Sequence, residues 1–377
     1  MRILAIETSC DETSVAVVER NGDGPTTVLS NITATSLDMH AKTGGIIPEF
    51  AAREQIKAII PTITKALNES RKINLESWEK AREIILKDID AIAVTYGPGL
   101  IGSLIVGVET AKTLSFTLGK PIVPVNHLLG HIFANFIQDT KTQDLRTNIQ
   151  YPFVALIVSG GHTDLLYFKS VNDYQWLGGT RDDAAGECFD KCARLLGYPY
   201  PGGPKIVQLA QKGNAKNIPL PRLMTGDDFD FSFSGLKTAF INIVKKEFNL
   251  ERKETSDGYS WEKIDLENLP EDKQQIVYDL CASLEQTIVE VLVRKTLKAA
   301  QKYKVKNILL GGGVSANQNL RETLETKIKE SNSGISVFSP EKAYTMDNGA
   351  MIGAYALMNY KPTDWHKIDT RPDLYFA

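Results

Sequence analysis

His127 and His131 lie four residues apart and follow the strand-like apolar run at 122–125. If Asn126 caps a helix here, both imidazoles lie on one helix face and can bind a single metal ion. The alternative is a pair of surface or capped histidines without a metal. The spacing also matches the HExxH pattern of zinc proteases, but Leu128 occupies the position of the general-base Glu, which argues against peptide hydrolysis by that mechanism.

A metal bound by two imidazoles needs a further ligand, and a carboxylate is the usual third one. Asp347 is a candidate because it lies between a strand-like segment at 335–338 and a helix-like segment that starts at Ala350. From the residues alone, the favoured interpretation is that Asp347 caps the N-terminus of that helix. Both roles stay open at this point.

Two further segments carry charged or polar side chains. Residues 182–190 hold four carboxylates at the start of a predicted helix, where they can stabilise the helix dipole or bind ribose hydroxyls or a metal. Residues 231–238 offer hydroxyls, Lys237 and two phenylalanines, which can stack on a base but are expected in the core. Spacing does not decide between these roles.

The elements that must position these residues are repeated along the chain. A strand at 3–7, a polar tip and a strand at 14–19 predict a hairpin. The same pattern returns at 153–158 and 165–168, with a glycine-rich tip between the two strands. The repetition predicts two related halves.

Each predicted hairpin is followed by a strand that runs into a glycine turn and then a helix. The turns lie at 97–102 and 311–317, and the second precedes a helix predicted at 318–330. Backbone N–H groups at such turns can approach a phosphate, although glycine turns also simply connect strands to helices. A long helical pattern at 274–302 indicates that Cys281 lies in the core.

The composition is that of an ordinary soluble globular protein. The chain has 377 residues, 42% hydrophobic and 24% charged, which predicts two or three domains. A net charge of −3 excludes a strongly basic surface, so any RNA contact is local or shared with a partner. No CxxC pair, signal peptide or membrane span is evident, and a reducing cytoplasm is expected. Residues 69–90 and 245–272 are densely charged and predict solvated surface elaboration.

Several separated motifs together identify the chain as resembling one family, the tRNA threonylcarbamoyladenosine transferases, formerly called glycoproteases or O-sialoglycoprotein endopeptidases. The resemblance extends from Ile3 to about Gly353. The motifs lie at 6–13, 44–49, 97–100, 126–131, 159–163, 182–191 with 201–204, 231–237 and 311–317.

The resemblance implies an α/β fold of the actin-like, sugar-kinase-like class, with two duplicated lobes around a central cleft. The lobes are expected at 1–125 plus 345–377 and at 126–344, with surface insertions at 69–90 and 245–272. It also implies a reaction. The threonylcarbamoyl group of threonylcarbamoyl-AMP moves to N6 of the adenosine just 3′ of the anticodon, in tRNAs that read codons beginning with A. The competing hypothesis is an ATP-binding, actin-like scaffold without transfer activity.

The resemblance also implies the site residues. The family's metal ligands match His127, His131 and Asp347, with one divalent metal per subunit, iron first and zinc as the alternative. No catalytic residue is implied, and Asp11 and Glu12 are the candidates. ATP or ADP can also occupy the cleft of such a fold. The positions matching the family's substrate and nucleotide contacts are Ile157, Val158, Ser159, Gly160, Gly161, Asp190, Gly203 and Asn317.

Partners follow from the same resemblance. They are tRNA, a smaller paralogue of the same fold and a P-loop ATPase in bacteria, or a second copy of the chain; no membrane is expected. Three positions depart from the family pattern. Gln55 replaces a His and receives no role, Val207 replaces an Asp and removes one possible ribose contact, and Met346 replaces a Thr beside Asp347.

Overall fold

Two five-stranded sheets with the same strand order form the framework of the protein. The computed structural model describes residues 1–22, 24–36, 45–74, 77–138, 149–222, 226–250, 252–255, 258–261 and 264–376. The first sheet has the order β3-β2-β1-β4-β5. Its strands are β1 (Arg2–Glu7), β2 (Glu12–Glu19), β3 (Thr27–Thr35), β4 (Ala91–Gly97) and β5 (Ile122–Asn126).

The second sheet has the order β12-β11-β6-β7-β8. Read from β8 to β12, this is the same arrangement as in the first sheet. In each sheet the first three strands along the chain form an antiparallel meander. The fourth strand pairs in parallel with the first, and the fifth pairs in parallel with the fourth. The predicted hairpins and the two related halves are therefore confirmed. The strands of this sheet are β6 (Phe153–Val158), β7 (Thr163–Ser170), β8 (Asp173–Gly179), β11 (Asn307–Gly311) and β12 (Ser336–Phe338).

Ten α-helices lie in the described part of the chain. Two helix predictions are confirmed. The helix predicted at 318–330 has those bounds, and Cys281 is fully buried in the long helix that carries it. The helices are α1 (Pro48–Arg71), α2 (Trp78–Asp88), α3 (Ile101–Leu118), α4 (His127–Phe133), α5 (Ala185–Leu195), α6 (Gly203–Ala210), α7 (Ser234–Phe248), α8 (Glu271–Lys302), α9 (Gln318–Glu330) and α10 (Gly349–Met358).

The core is divided into three layers of side chains by the two sheets. One layer packs α1, α2 and α3 on the outer face of the first sheet, and another packs α5 to α9 on the second sheet. The middle layer joins the inner faces of both sheets through α4 and α10. Because the strands at the centre of each sheet are buried on both faces, they are continuous apolar runs rather than alternating ones.

The two charged stretches are more structured than the sequence suggests. α2 lies within 69–90 and buries Ala81 and Ile85 completely, so this segment contributes to the core as an amphipathic helix. Within 245–272 the structure has a small hairpin of β9 (Arg252–Thr255) and β10 (Gly258–Trp261). Residues 75–76, 251, 256–257 and 262–263 of these stretches, and Gly44 of the motif at 44–49, lie outside the described residues.

No helix in the described ranges is both long enough and apolar enough to cross a bilayer. The end of the chain returns to the first sheet, where the Thr363 amide donates to the Ile122 carbonyl at 2.9 Å and the Arg371 amide donates to the Tyr96 carbonyl at 2.7 Å. The carboxyl ends of β4 and β5 meet the C-terminal segment at Tyr96 and at Asn126, whose side-chain amide donates to the Leu374 carbonyl at 3.1 Å, and α10 packs against β1. The division into lobes at 1–125 plus 345–377 and 126–344 stays a prediction.

Candidate metal centre and glycine loops

The two histidines predicted to bind a metal lie on the short helix α4, at the edge where β5 ends. Asn126 caps this helix, because its Oδ1 accepts hydrogen bonds from the amides of Leu128 at 2.8 Å and Leu129 at 3.3 Å. The rings of His127 and His131 are 4.7 Å apart between centroids, and both side chains are buried. The expected helix cap and the shared helix face are confirmed.

Asp347 approaches both imidazoles from the other side. Its Oδ1 lies 3.6 Å from His127 Nε2 and 3.2 Å from His131 Nε2. One ligand atom of each of the three residues lies within 4.8 Å of the other two. The N-cap role favoured for Asp347 is wrong, because Asn348 caps α10 by accepting from the Met351 amide at 3.0 Å.

The donor set fits a divalent metal ion. Among the described residues, neither ring nitrogen of His131 makes a well-formed hydrogen bond, although both are buried. An unpaired buried polar atom is costly, and a metal bound at Nε2, the nitrogen that lies next to Asp347, would satisfy that one of the two atoms. Two imidazoles and one carboxylate are typical ligands of non-haem iron and of zinc, with positions left for substrate or water.

Glu7, at the end of β1, contacts the Nδ1 side of the His127 ring, opposite the Nε2 atom that lies near Asp347. Its Oε2 lies 3.1 Å from His127 Nδ1 and accepts from the Thr95 hydroxyl at 2.5 Å. Burial opposes both charges, but their attraction outweighs it, lowering the pKa of Glu7 and, together with Asp347, raising the pKa of His127 to about 9. Sequence reasoning gave Glu7 no role. The one indication of a role in the sequence is that Glu7 places a carboxylate at the end of an otherwise apolar strand.

His162 forms a further wall beside the three ligand residues. Burial, followed by Coulombic interaction with His127 and His131, lowers the pKa of His162 to about 3, so its ring is neutral. Its Nδ1 lies 4.0 Å from Asp164 Oδ2. The sequence places His162 in a glycine motif without indicating a role, because its position beside α4 depends on the packing of α4 against β6.

The candidate catalytic carboxylates lie at the tip of the first hairpin. Burial raises the pKa of Glu12 to about 7, and the Thr35 hydroxyl donates to its Oε1 at 3.0 Å. Asp11 is almost fully buried. Gln55 fixes the tip, because its amide nitrogen donates to the carbonyls of Cys10 at 2.9 Å and Glu12 at 2.8 Å.

The predicted substrate loop joins β6 to β7. The side chains of Ile157 and Val158 are fully buried, so any contact from them to a ligand is through backbone. Ser159 follows the strand, and Gly160 and Gly161 are exposed, with no atom within 4 Å of an added Cβ. Such open glycines leave room for a ligand against the main chain.

The other predicted nucleotide contacts are partly used by the protein itself. Asp190 Oδ1 accepts from the amides of Gly202 at 2.7 Å and Gly203 at 3.1 Å, which fixes the turn before α6. Asn317 caps α9 by accepting from the Leu320 amide at 2.8 Å and donates to Glu285 Oε1 at 2.7 Å. These side chains position their loops, and a direct contact with a nucleotide stays a prediction.

The remaining candidates of the motifs at 182–191 and 231–238 have partners within the protein. Asp182 accepts from the amides of Phe233 at 2.8 Å and Ser234 at 3.1 Å, at the start of α7. Asp183 pairs with Lys191 and Lys237, each at 2.7 Å. The two phenylalanines of 231–238 are buried, as expected for core residues. These carboxylates have partners within the protein, and a contact with ribose hydroxyls or a metal stays a prediction.

Two sheets of identical topology, with a buried pair of imidazoles and a carboxylate between them, define a two-lobed α/β protein of the actin-like type with a candidate metal centre. The family described as tRNA N6-adenosine threonylcarbamoyltransferase (TsaD) matches residues 27–354. The chain belongs to this family.

Curated relatives and a solved structure agree with this assignment. The tRNA N6-adenosine threonylcarbamoyltransferase of Syntrophomonas wolfei is 43% identical over 95% of this chain and 92% of its own length. The enzyme of that name from Limosilactobacillus reuteri is 44% identical over 97% of this chain and 94% of its own. The crystal structure of T. kodakarensis HypF shares the fold alone, with a TM-score of 0.55 and 13% identity over 95% of this chain and 48% of that one.

Proposed function

We propose that the chain transfers the threonylcarbamoyl group from threonylcarbamoyl-AMP to N6 of the adenosine just 3′ of the anticodon, in tRNAs that read codons beginning with A. The observation that carries the proposal is the group formed by the buried His127 and His131 and the partly buried Asp347, whose ligand atoms lie within 4.8 Å of one another beside open glycine loops. Family membership supports the same activity. The scaffold hypothesis explains neither the buried ligand set nor its alignment with the loops.

The reaction needs alignment more than covalent chemistry from the protein. A bond forms between the adenosine N6 and the carbamoyl carbon, the bond from that carbon to the phosphate oxygen breaks, and AMP leaves with the electron pair. The N6 nitrogen loses one proton. Because the mixed anhydride is already activated, orientation and charge stabilisation supply most of the rate.

Asp11 and Glu12 are the candidates to accept that proton. A general base works best when its pKa is near the operating pH. The pKa of Glu12 is raised to about 7 by burial, so Glu12 meets that condition and is the first choice. Gln55 stabilises the backbone of this hairpin tip by donating to the carbonyls of Cys10 and Glu12.

We assign one divalent metal to His127, His131 and Asp347, with iron as the first choice and zinc as the second. When bound, the metal supplies positive charge that can coordinate a carboxylate, carbonyl or phosphate oxygen of the donor. Glu7 orients the imidazole of His127 for this role from a distance of 3.1 Å. His127 and His131 are buried and the Asp347 side chain is 25% exposed, so the group limits the access of competing water to the activated donor.

The adenylate part of the donor is proposed to lie against the loop at 157–161, with Asp190, Gly203 and Asn317 around it. Backbone N–H groups of Gly160 and Gly161 can reach phosphate oxygens because no side chain intervenes. ATP or ADP would use the same loops, because both share the adenylate group. Since the known work of such an enzyme is on tRNA, we place its action in the cytoplasm.

The outer face of the first lobe supports pairing with a chain of the same fold. α1 and α3 pack side by side, with an added Cβ on Gly102 only 3.2 Å from the Ala52 Cβ. Exposed apolar side chains on one helix pair are typical of an interface. We propose the smaller paralogue as the occupant, and the P-loop ATPase stays a prediction without an assigned surface. The exposed residues are Phe50 (41%), Ile56 (64%), Ile60 (42%), Ile101 (51%), Ile105 (45%) and Phe116 (67%).

The transferase proposal is tested by nucleoside mass spectrometry after incubating unmodified tRNA with the purified chain, threonylcarbamoyl-AMP and iron or zinc. We expect threonylcarbamoyladenosine to form, and His127→Ala to lose both the bound metal and the product. His366→Ala is the matched control, because His366 is 65% exposed and is not a member of the candidate ligand group. ATP binding without transfer, even after the predicted bacterial partners are added, would favour the scaffold.

The interface is tested by measuring mass in solution, for the chain alone and mixed with the paralogue. Ile105→Asp is expected to abolish the heterodimer, because it places a charge at the centre of the apolar face. Ile73→Asp is the control, since Ile73 is equally exposed (46% against 45%) but lies beyond the end of α1. A stable homodimer that Ile105→Asp dissociates would replace the paralogue with a second copy of this chain.

A further inference from the structure

A large cavity opens beside the candidate metal centre and adjoins the glycine loop proposed to hold the donor, because Gly161 of that loop is part of its lining. Its volume is about 1060 Å³, and it lies between the carboxyl ends of β4 and β5, the strands β7 and β8, and the C-terminal residues 374–376. His162 lines both this cavity and the metal centre. Cavities of a few hundred Å³ already hold drug-sized ligands, so this one has room for a nucleotide.

Aromatic rings at the rim of the cavity are exposed to solvent. Trp176 is 43% exposed, Tyr174 is 38% exposed and Tyr375 is 58% exposed. Tyr96 and Tyr355 lie deeper in the same lining. Large rings clustered around one opening are not needed for the stability of the fold, and they indicate a binding surface.

The exposed rings are held in fixed orientations. The Trp176 indole N–H donates to Asp164 Oδ1 at 3.0 Å, which anchors the polar edge of the ring. Tyr174 stacks on the buried ring of Phe168 with 5.0 Å between centroids. Aromatic rings that are anchored at one edge and open on one face lose little entropy when a flat ligand stacks on them.

The C-terminal segment closes one side of the cavity. The Asn126 side-chain amide donates to the Leu374 carbonyl at 3.1 Å, directly before the first metal ligand on α4. The ring of Tyr375 then lies 5.8 Å from the ring of His162, between centroids. The cavity is therefore built from the same edge that carries the metal ligands.

The chemistry of the lining favours a base over a phosphate. None of the described residues around the cavity is Lys or Arg, and the Asp164 carboxylate faces into it. A carboxylate repels phosphate but accepts hydrogen bonds from the exocyclic amines of bases. Aromatic faces stack on any base, which is how proteins hold single-stranded RNA loops.

We propose that this cavity binds an unpaired nucleobase of the acceptor tRNA loop, stacked on Trp176 and Tyr174, and so orients the acceptor beside the metal centre. The inference rests on the proposed function, because that function makes a tRNA loop the acceptor. It assigns to Trp176 and Tyr174 a binding role that the glycine loops and the metal ligands do not supply.

The test measures binding of a labelled synthetic anticodon stem-loop RNA by fluorescence anisotropy, with the metal-loaded protein and without the donor. Trp176→Ala and Tyr174→Ala are each expected to weaken binding about 5- to 150-fold, the range for losing one stacked base. Trp176→Phe keeps a ring and is expected to retain most of the affinity. Tyr360→Ala is the matched control, because Tyr360 is 37% exposed against 38% for Tyr174 and lies outside the cavity lining.

Replacing each loop base in turn by an abasic nucleotide identifies which base is bound. At that position the abasic RNA binds the native protein weakly, and Trp176→Ala has no additional effect. Unchanged affinity in folded, metal-containing Trp176→Ala and Tyr174→Ala variants overturns the inference. It is also overturned if the effects of Trp176→Ala and of the abasic replacement add independently at every loop position. A native protein that binds the stem-loop but forms no product refutes the proposed transfer instead, so the two failures are distinguishable.

Discussion

Glu7 and His127 are 120 residues apart in the chain, yet the Glu7 Oε2 lies 3.1 Å from the His127 Nδ1. This contact is possible because β1 and β5 end at the same edge of the first sheet, on either side of β4. With Nδ1 occupied by Glu7, the Nε2 atom of His127 is directed at Asp347, 3.6 Å away. The candidate metal centre therefore includes a carboxylate outside the proposed ligand set, and this carboxylate orients one of the proposed ligands.

Replacing Glu7 by glutamine is expected to weaken metal binding about 10- to 100-fold, the usual effect of losing such an outer partner. Competition with a chromophoric chelator measures this affinity. Glu19→Gln, at the opposite end of the same hairpin, removes a carboxylate that pairs with Arg2 and should leave the affinity unchanged. Equal affinity of native protein and Glu7→Gln would show that Glu7 does not orient His127.

Local patterns predicted the elements of the site correctly. The Asn126 cap, the four-residue spacing of the histidines and the two hairpins all depend on neighbours within a few positions, and the structure has each of them. The resemblance to a family, not the spacing, selected Asp347 as the third ligand. From the residues alone the N-cap role was favoured, and Asn348 takes that role.

Residues that act through long-range contacts could not be found in this way. Glu7 and His162 lie close to the candidate metal ligands only in the folded protein. No pattern of neighbouring residues in the sequence indicates these contacts. The same limit applies to Asp182, whose carboxylate binds the amide of Phe233, 51 residues later. The burial of Ile85 in α2 was missed because the dense charge of 69–90 conceals one apolar helix face.

Gly312 is expected to tolerate no side chain. It has a φ of +87° and an added Cβ would lie 2.5 Å from the Val158 carbonyl oxygen, next to the predicted substrate loop. We expect Gly312→Ala to destabilise the protein by about 2 kcal/mol or more and to weaken binding of ADP. Urea unfolding and nucleotide titration measure the two effects.

Gly334→Ala separates strain from crowding in that experiment. Gly334 also has a positive φ, +65°, but no atom lies within 4 Å of an added Cβ. This control is expected to cost about 1 kcal/mol and to leave ADP binding unchanged. A similar cost at both positions would mean that the contact with Val158 relaxes without effect.

Gln55 is expected to stabilise the tip that carries the catalytic candidates. Its buried amide donates to the carbonyls of Cys10 and Glu12, so Gln55→Leu leaves two buried acceptors without their donor. The expected loss is about 1–3 kcal/mol in the free energy of unfolding, together with a lower transfer rate. Gln55→His keeps one donor and should lie between the native protein and Gln55→Leu. Chemical denaturation that ranks His with Leu would contradict a hydrogen-bonding role.

The carboxyl of Glu12 makes stability depend on pH in a defined direction. Burial raises its pKa from the ordinary value of 4.5 to about 7, so the folded protein holds this proton more tightly than the unfolded chain does. Between these two pKa values the folded state binds more protons, and the free energy of unfolding therefore falls as pH rises from about 4.5 to 7. Above that range this carboxyl adds no further change.

Comparison of the native protein with Glu12→Gln isolates this contribution, because glutamine keeps the shape of the side chain and does not titrate. Urea unfolding at pH 5 and pH 8 is expected to show that the native protein loses about 1 kcal/mol more than Glu12→Gln over this interval, after allowance for the partial exposure of Glu12. If both proteins change equally, Glu12 titrates normally in the folded state. It would then be ionised at neutral pH without the raised pKa that makes it the preferred proton acceptor over Asp11.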